Sequence, residues 1–379
     1  MKQKISVLVG GVLLLVAVSV FSAVSSGSQD GLVAGARLAV EQFGQVAGSK
    51  ECPPQPKREF AHASYYTGPL FDAHLHLPSS SSIVSSVSTK MGLPTPAWNS
   101  VLSYEYIACL LKAENTRGAF GFHLLTKYSL SSEVSAAKAL DKKQSGISHF
   151  LMPAFVNPAV NPSVESVRKL VEKNPALFTG IGELKFFDGT SPDNPRVLPY
   201  YQLAEKNGLI VMMHPFDHHK DAVVAVVKQY PKVRFLLHSI DGEGRHPGDS
   251  GEHNNIGWVM ELLRTYPNVY YSVDDAPIWG WKREHSGVEK PSKEEVMAHF
   301  RETFDSELDR LTGRWKDPIE TYPDRILSGT DRWYGWHYER DASALIIEFK
   351  RAFIGRLAPS VQEKYAYRNA EGLLKKANP

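Results

Sequence analysis

Short apolar runs that fail to alternate recur along this 379-residue chain, and several of them end on a histidine or an acid. A strand with one wet face alternates apolar and polar residues, whereas a run that is apolar at nearly every position suits a parallel sheet covered on both faces. Leu209 to His214 is such a run, and helix-like stretches separate it from its neighbours. Strands are expected over residues 71–77, 117–125, 149–156, 176–187, 209–214, 233–238, 269–273 and 325–331. Segments 97–113, 163–174, 198–206, 221–230, 255–266 and 292–311 carry apolar residues at helical spacing, and two helices, 342–353 and 360–377, close the chain. No helix is read between the second and third strands. Eight strands alternating with helices fit one α/β domain, a (β/α)8 TIM barrel, better than two domains.

The first strand carries the sharpest chemical signal. By alternation Asp72, His74 and His76 share one face, with Ala73, Leu75 and Leu77 on the other. Two imidazoles on one face can grip one metal ion, although an ordinary strand with a polar mouth has the same pattern. Barrel chemistry sits at the carboxyl ends of the strands, so the other strands must be inspected there. Met212-Met213-His214-Pro215, Leu236-Leu237-His238-Ser239 and Leu327-Ser328-Gly329-Thr330-Asp331 each bring an ionisable group to that end. The fourth strand, Gly180-Ile181-Gly182-Glu183-Leu184-Lys185, sets Glu183 and Lys185 on one face. They make either an internal ion pair, or a metal-bridging carboxylate beside a lysine that must be countered, neutral or carboxylated. Imidazoles and carboxylates together suit Zn2+ best, with manganese, iron or nickel as alternatives.

These residues resemble the amidohydrolase superfamily of metal-dependent TIM-barrel hydrolases, nearest its amidohydrolase-related branch. The likeness rests on Asp72-x-His74-x-His76, on Glu183 after Gly-Ile-Gly, on His214 and His238, and on the Leu327 to Asp331 run; Tyr367 to Leu373 is similar to the family's terminal Asn-Ala helix. The resemblance implies that His74, His76 and Asp331 hold the first metal and that Asp331 takes a proton from the attacking water. It implies His214 and His238 as ligands of a second metal in two-metal members. In one-metal members His214 stays a ligand and His238 orients or protonates the substrate. Glu183 resembles the bridging carboxylate of two-metal members, while other members use a carboxylated lysine at that strand, the place of Lys185. The implied reaction is hydrolysis of an amide, ester, lactone or related bond. A decarboxylase or hydratase on the same scaffold and a metal-binding barrel without activity are the alternatives; the complete ligand set argues against the last, since buried ionisable groups cost stability without a purpose.

Substrate choice is expected in the loops after the strands. These carry Asp241, Glu243, Arg245, His246 and His253 after the sixth, and Asp274, Asp275, Trp279, Trp281, Lys282 and Arg283 after the seventh. Arg332, Trp333, Tyr334, Trp336, His337 and Tyr338 follow the eighth. Aromatics among cations suit a ring-bearing or carboxylated small molecule, and equally suit packing of loops onto the barrel rim. Net charge is +2 with no long basic run, which leaves no electrostatic footprint for nucleic acid.

The amino terminus has the layout of an export signal: two lysines by residue 4, an apolar run from Ile5 to Val24, then serines. Residues 1–25 are read as a signal peptide cleaved near Ala23-Val24-Ser25 or as an uncleaved membrane anchor, residues 26–67 as an extension or linker, and residues 68–379 as the barrel. Either form places the body outside the cytoplasm, periplasmic or extracellular. Of the two cysteines, Cys52 and Cys109, pairing and two free thiols both remain open.

Overall fold

The computed structural model describes residues 57–77, 104–143, 145–153, 161–186, 189–239, 255–274 and 292–375. They lie in one compact unit, Cys52–Pro379. Eight parallel strands run in sequence order: β1 (Leu70–His76), β2 (Thr116–Leu125), β3 (Ile147–Pro153), β4 (Phe178–Lys185), β5 (Ile210–His214), β6 (Arg234–Leu237), β7 (Val269–Asp274) and β8 (Ile326–Gly329). The barrel closes just past β8. There Asp331 N–H donates to His74 O at 3.0 Å and Arg332 bridges to Leu75. Helices α1 (Tyr104–Ala113), α2 (Leu130–Lys142), α3 (Val164–Lys173), α4 (Leu198–Asn207), α5 (Lys220–Gln229), α6 (Ile256–Thr265), α7 (Lys293–Glu302), α8 (Phe304–Thr321), α9 (Arg340–Gly355), α10 (Pro359–Glu363) and α11 (Asn369–Lys375) accompany the strands. The expected (β/α)8 barrel is the fold of this chain.

Both faces of the sheet are covered, as the unalternating runs require: Ile210, Val211, Met212 and Met213 of β5 are all fully buried. Inside, the Phe150 ring packs at a tilt against Phe120 and Phe122, its centroid 5.0 Å from each of theirs. Gly180 leaves the room this takes, because a side chain there would overlap the Phe150 ring.

The structure departs from the sequence reading in three elements. Helix α2 was not expected at all; its buried stripe is Glu133, Ala136, Ala137 and Leu140, helical in spacing but begun by an acid. The single helix expected over 292–311 is two, broken at Thr303, where the backbone opens to φ −98° and ψ 6° while its N–H (2.9 Å) and hydroxyl (2.8 Å) both donate to His299 O; α8 then runs on to Thr321. The helix expected over 360–377 is broken by a π-helical turn at Lys364–Arg368. Cys109 is disulfide-bonded. The other cysteine of the sequence, Cys52, lies outside the described residues, as do the signal or anchor segment and the loop residues 241–253 and 275–283. Among the described residues no helix is long and apolar enough to cross a membrane.

Candidate metal centre

Six ionisable groups predicted from the sequence meet at the carboxyl end of the barrel. His74 and His76 come from β1, Glu183 from β4, His214 from β5, His238 from just past β6 and Asp331 from just past β8, and all are at most 5% exposed. His74 Nε2 and His76 Nε2 lie 3.1 Å apart. Asp331 Oδ1 is 3.2 Å from His76 Nε2 and 3.5 Å from His74 Nε2. Glu183 Oε2 sits 3.5 Å from His74 Nε2 and 3.4 Å from His76 Nε2.

The backbone makes these positions possible in specific ways. Gly182 takes φ +130°, and a Cβ there would overlap Met212 O, so only glycine lets β4 bring Glu183 in beside β5. Asp331 adopts φ +46°, a left-handed conformation that Asp tolerates better than most residues. Asp72, expected on the same face as the histidines, ties the barrel seam. Its Oδ1 accepts from His74 N at 3.0 Å and Thr330 N at 2.9 Å, and its Oδ2 accepts from the Thr330 hydroxyl at 2.5 Å.

Glu183 organises the far side of the cluster. Its Oε1 lies 2.6 Å from His214 Nδ1 and 2.5 Å from His238 Nε2, and Lys185 Nζ stands 3.0 Å from its Oε2. Lys185 thus makes the internal ion pair that was one of its two sequence readings. Its ammonium also lies 5.8 Å from the centroid of Trp333.

The electrostatics follow from crowding anions and imidazoles in a dry interior. Burial opposes charge on every group, yet the carboxylates remain ionised. Asp331 is held at about 2 by His74 and His76, and Glu183 well below the usual range by Lys185, His238 and His74. Burial likewise opposes a proton on His74, but Asp331, Asp274 and Glu183 raise it well above its ordinary value. His238 rises against burial through Glu183. His76 goes the other way, lowered to about 4 by burial together with the charges of His74 and Lys185.

A divalent metal ion fits this donor set. Glu183 Oε2 and Asp331 Oδ1 are buried oxygens without a hydrogen bond; Lys185 Nζ at 3.0 Å answers the first as an ion pair, while the second is costly unless something cationic meets it. Two overlapping triads bring their donor atoms within 4.8 Å of one another, His74–His76–Asp331 and His74–Glu183–His238. Ligand bonds of 2.0–2.1 Å in a tetrahedral zinc site hold donors about 3.3 Å apart. The first triad, at 3.1, 3.2 and 3.5 Å, comes close to that spacing. His214 joins neither triad.

Asp274 belongs to this centre although the sequence reading put it in a substrate loop. It is the last residue of β7, and its Oδ2 lies 2.8 Å from His74 Nδ1 and 3.0 Å from His238 Nδ1. The signal was available: Ser272-Val273-Asp274 ends an apolar run on an ionisable residue, as the other contributing strands do. Ending that strand at Val273 hid it. Arg332, also expected at the substrate loops, is instead fully buried and donates to both oxygens of Glu114 at 2.8 and 3.0 Å. Trp333, Tyr334 and Trp336 pack with Val296 of α7, and the Tyr338 hydroxyl donates to His76 O, so this aromatic run forms rim packing.

Residues 150–376 match the sequence profile of the amidohydrolase family. No curated protein matches the chain. Among solved structures, an amidohydrolase from Burkholderia multivorans with bound HEPES is 12% identical, covers 81% of this chain and 99% of its own, and superposes with a TM-score of 0.52. A zinc-bound form of that amidohydrolase gives 13%, 81%, 99% and 0.50. A 2,6-dihydroxybenzoate decarboxylase in complex with 2,6-dihydroxybenzoate is 14% identical over 82% of this chain and 100% of its own, at 0.45. At these identities the likeness is one of fold.

Proposed function

The chain belongs to the amidohydrolase family, and from that premise we propose that it is a zinc-dependent hydrolase of an amide, ester, lactone or related bond in a small, ring-bearing or carboxylated molecule. The observation that carries this reading is Asp331 Oδ1, a buried, ionised oxygen without a hydrogen-bond donor, 3.2 Å from His76 Nε2. A divalent ion held by His74, His76 and Asp331 would supply Lewis acidity and acidify the water that attacks. Asp331, ionised at neutral pH, accepts a proton from that water. His76, neutral above about 4, has a lone pair to offer a cation. Glu183 holds His214 and His238 in place, and His238 keeps a proton to give to the leaving group. Lys185 balances the Glu183 charge.

One observation favours a second reading, a decarboxylase or hydratase. His238 Nε2 lies against Glu183, outside the His74–His76–Asp331 triad, and a site using one ion would leave it able to protonate carbon. The test is metal content per chain, activity on a panel of lactones, esters, amides and aryl carboxylates before and after chelation, and activity again after metal return. Bond cleavage that leaves oxygen-18 from water in the product supports the hydrolase, addition of water without cleavage the hydratase, and carbon dioxide release the decarboxylase. No bound metal and no response to chelator would overturn both.

We also propose that the protein is exported, with residues 5–24 acting as signal or tether. The disulfide at Cys109 supports an oxidising compartment. Fractionation of expressing cells and sequencing of the mature amino terminus test this, and a cytoplasmic protein starting at Met1 would reject it.

A further inference from the structure

We propose that Asp274 is a positioning residue that holds the Nδ1 protons of two histidines with a single oxygen, so that His74 and His238 both turn Nε2 toward the candidate metal centre. This rests on the metal-centre reading above and adds to it the element that sets the orientation of those two side chains. An ionised carboxylate only accepts hydrogen bonds, so with Asp274 Oδ2 at 2.8 Å from His74 Nδ1 and 3.0 Å from His238 Nδ1, both Nδ1 atoms must carry protons. With Nδ1 so engaged, Nε2 is the atom each ring turns to the centre, to bind a cation at His74 and to carry the proton that His238 gives. Both Nε2 atoms face Glu183, His74 at 3.5 Å and His238 at 2.5 Å.

The clamp is itself held. The Ser272 hydroxyl donates to the other carboxylate oxygen of Asp274, Oδ1, at 2.6 Å, which fixes the plane of the group. On β8, Gly329 is the ladder partner of Asp274, and a Cβ at that position would overlap Asp274 Oδ1 and Ser272 Oγ. The glycine before Thr330 and Asp331 is thus the space in which the carboxylate lies. One oxygen ties β1 to the end of β6 from its seat on β7, joining residues far apart in sequence. The two imidazoles it joins have ring centroids 4.4 Å apart.

The variants separate this role from general stability. Asp274→Asn keeps an acceptor oxygen where Oδ2 stands and an amide that Ser272 can accept from, so it should retain both Nδ1 protons while losing the charge. Asp274→Ala removes the acceptor, and Gly329→Ala displaces it. The full-length protein is labelled with nitrogen-15 histidine, and its low-field Nδ1 protons are read in chelated and zinc-loaded forms; zinc affinity is measured by competition with a chromophoric chelator. Both Nδ1 signals should persist in the natural protein and in Asp274→Asn and vanish in Asp274→Ala and Gly329→Ala. Zinc affinity should fall about 10–100-fold in the latter two, the range for losing a partner of a metal-binding histidine, and less in Asp274→Asn. Both signals surviving in a folded Asp274→Ala, or zinc affinity there within twofold of the natural protein, would overturn the proposal. If the natural protein binds no zinc, the metal reading fails, and the chelated spectra still decide the clamp.

Discussion

Asp331 shows how much chemistry one carboxylate can concentrate. It reaches the histidine pair with one oxygen, stays ionised to about pH 2 because His74 and His76 outweigh its burial, and occupies a left-handed backbone position at the end of a strand. Asp331→Asn keeps the shape and removes the proton acceptor. Turnover of whichever panel substrate is active should fall by about 10²–10⁴-fold, with the circular dichroism spectrum unchanged. An Asn variant of near-normal turnover would remove Asp331 from the mechanism.

Two elements owe their place to contacts with a neighbouring strand. Helix α2 is tied to the sheet by a chain of hydrogen-bonding groups: Glu133 Oε2 to His123 Nδ1 at 3.1 Å, His123 Nε2 to His149 Nδ1 at 3.0 Å, and His149 Nε2 to Asp141 Oδ1 at 3.1 Å. Burial lowers His149 to about 3, with the neighbouring His123 charge adding to it, while the half-exposed Asp141 is screened by water. An unfolded histidine takes a proton near 6.5 and the folded one does not, so this group favours folding above about 6.5 and its contribution is lost as pH falls toward 3. Urea midpoints should therefore drop between pH 7 and pH 4, and His149→Gln should show a smaller drop; equal drops would place the sensitivity elsewhere. In β4, Gly182→Ala forces a side chain into φ +130° and against Met212 O. It should cost about 1–3 kcal/mol in urea unfolding and weaken zinc binding by moving Glu183.

At the scale of the whole barrel, the site and the closure of the sheet share parts. Asp72 joins β1 to Thr330, Asp331 N–H donates to His74 O, and the next residue, Arg332, is anchored on Glu114 at the end of α1 and on the Ser343 hydroxyl of α9. Glu114→Gln leaves the Arg332 guanidinium buried without its anion and should destabilise the fold by about 3–5 kcal/mol, read from urea unfolding at neutral pH. Metal and fold should also be linked. A ligand bound only by the folded state stabilises it by mass action, so chelation should lower the melting temperature and stoichiometric zinc restore it. An unchanged melting temperature on both steps would mean the cluster holds no ion in solution.

The sequence by itself determined the architecture and most of the centre. Apolar runs without alternation can be satisfied only in a sheet covered on both faces, and His74, His76, Glu183, His214, His238 and Asp331 each stand at or near the carboxyl end of such a run, where a parallel barrel gathers its strands' chemistry. What failed to show were features whose partner lies far away in the chain. Glu133 broke the apolar stripe of α2 because it answers His123 across the interface, so the helix did not look like one. Arg332 resembled a substrate contact until Glu114 was placed beside it. Asp274 was one residue past an assigned strand end, and its purpose exists only when β1, β6 and β7 are brought together around it. Periodicity is a local property and can be read along the chain; the pairing of buried charges is decided by which strands become neighbours, and only the closed barrel supplies that.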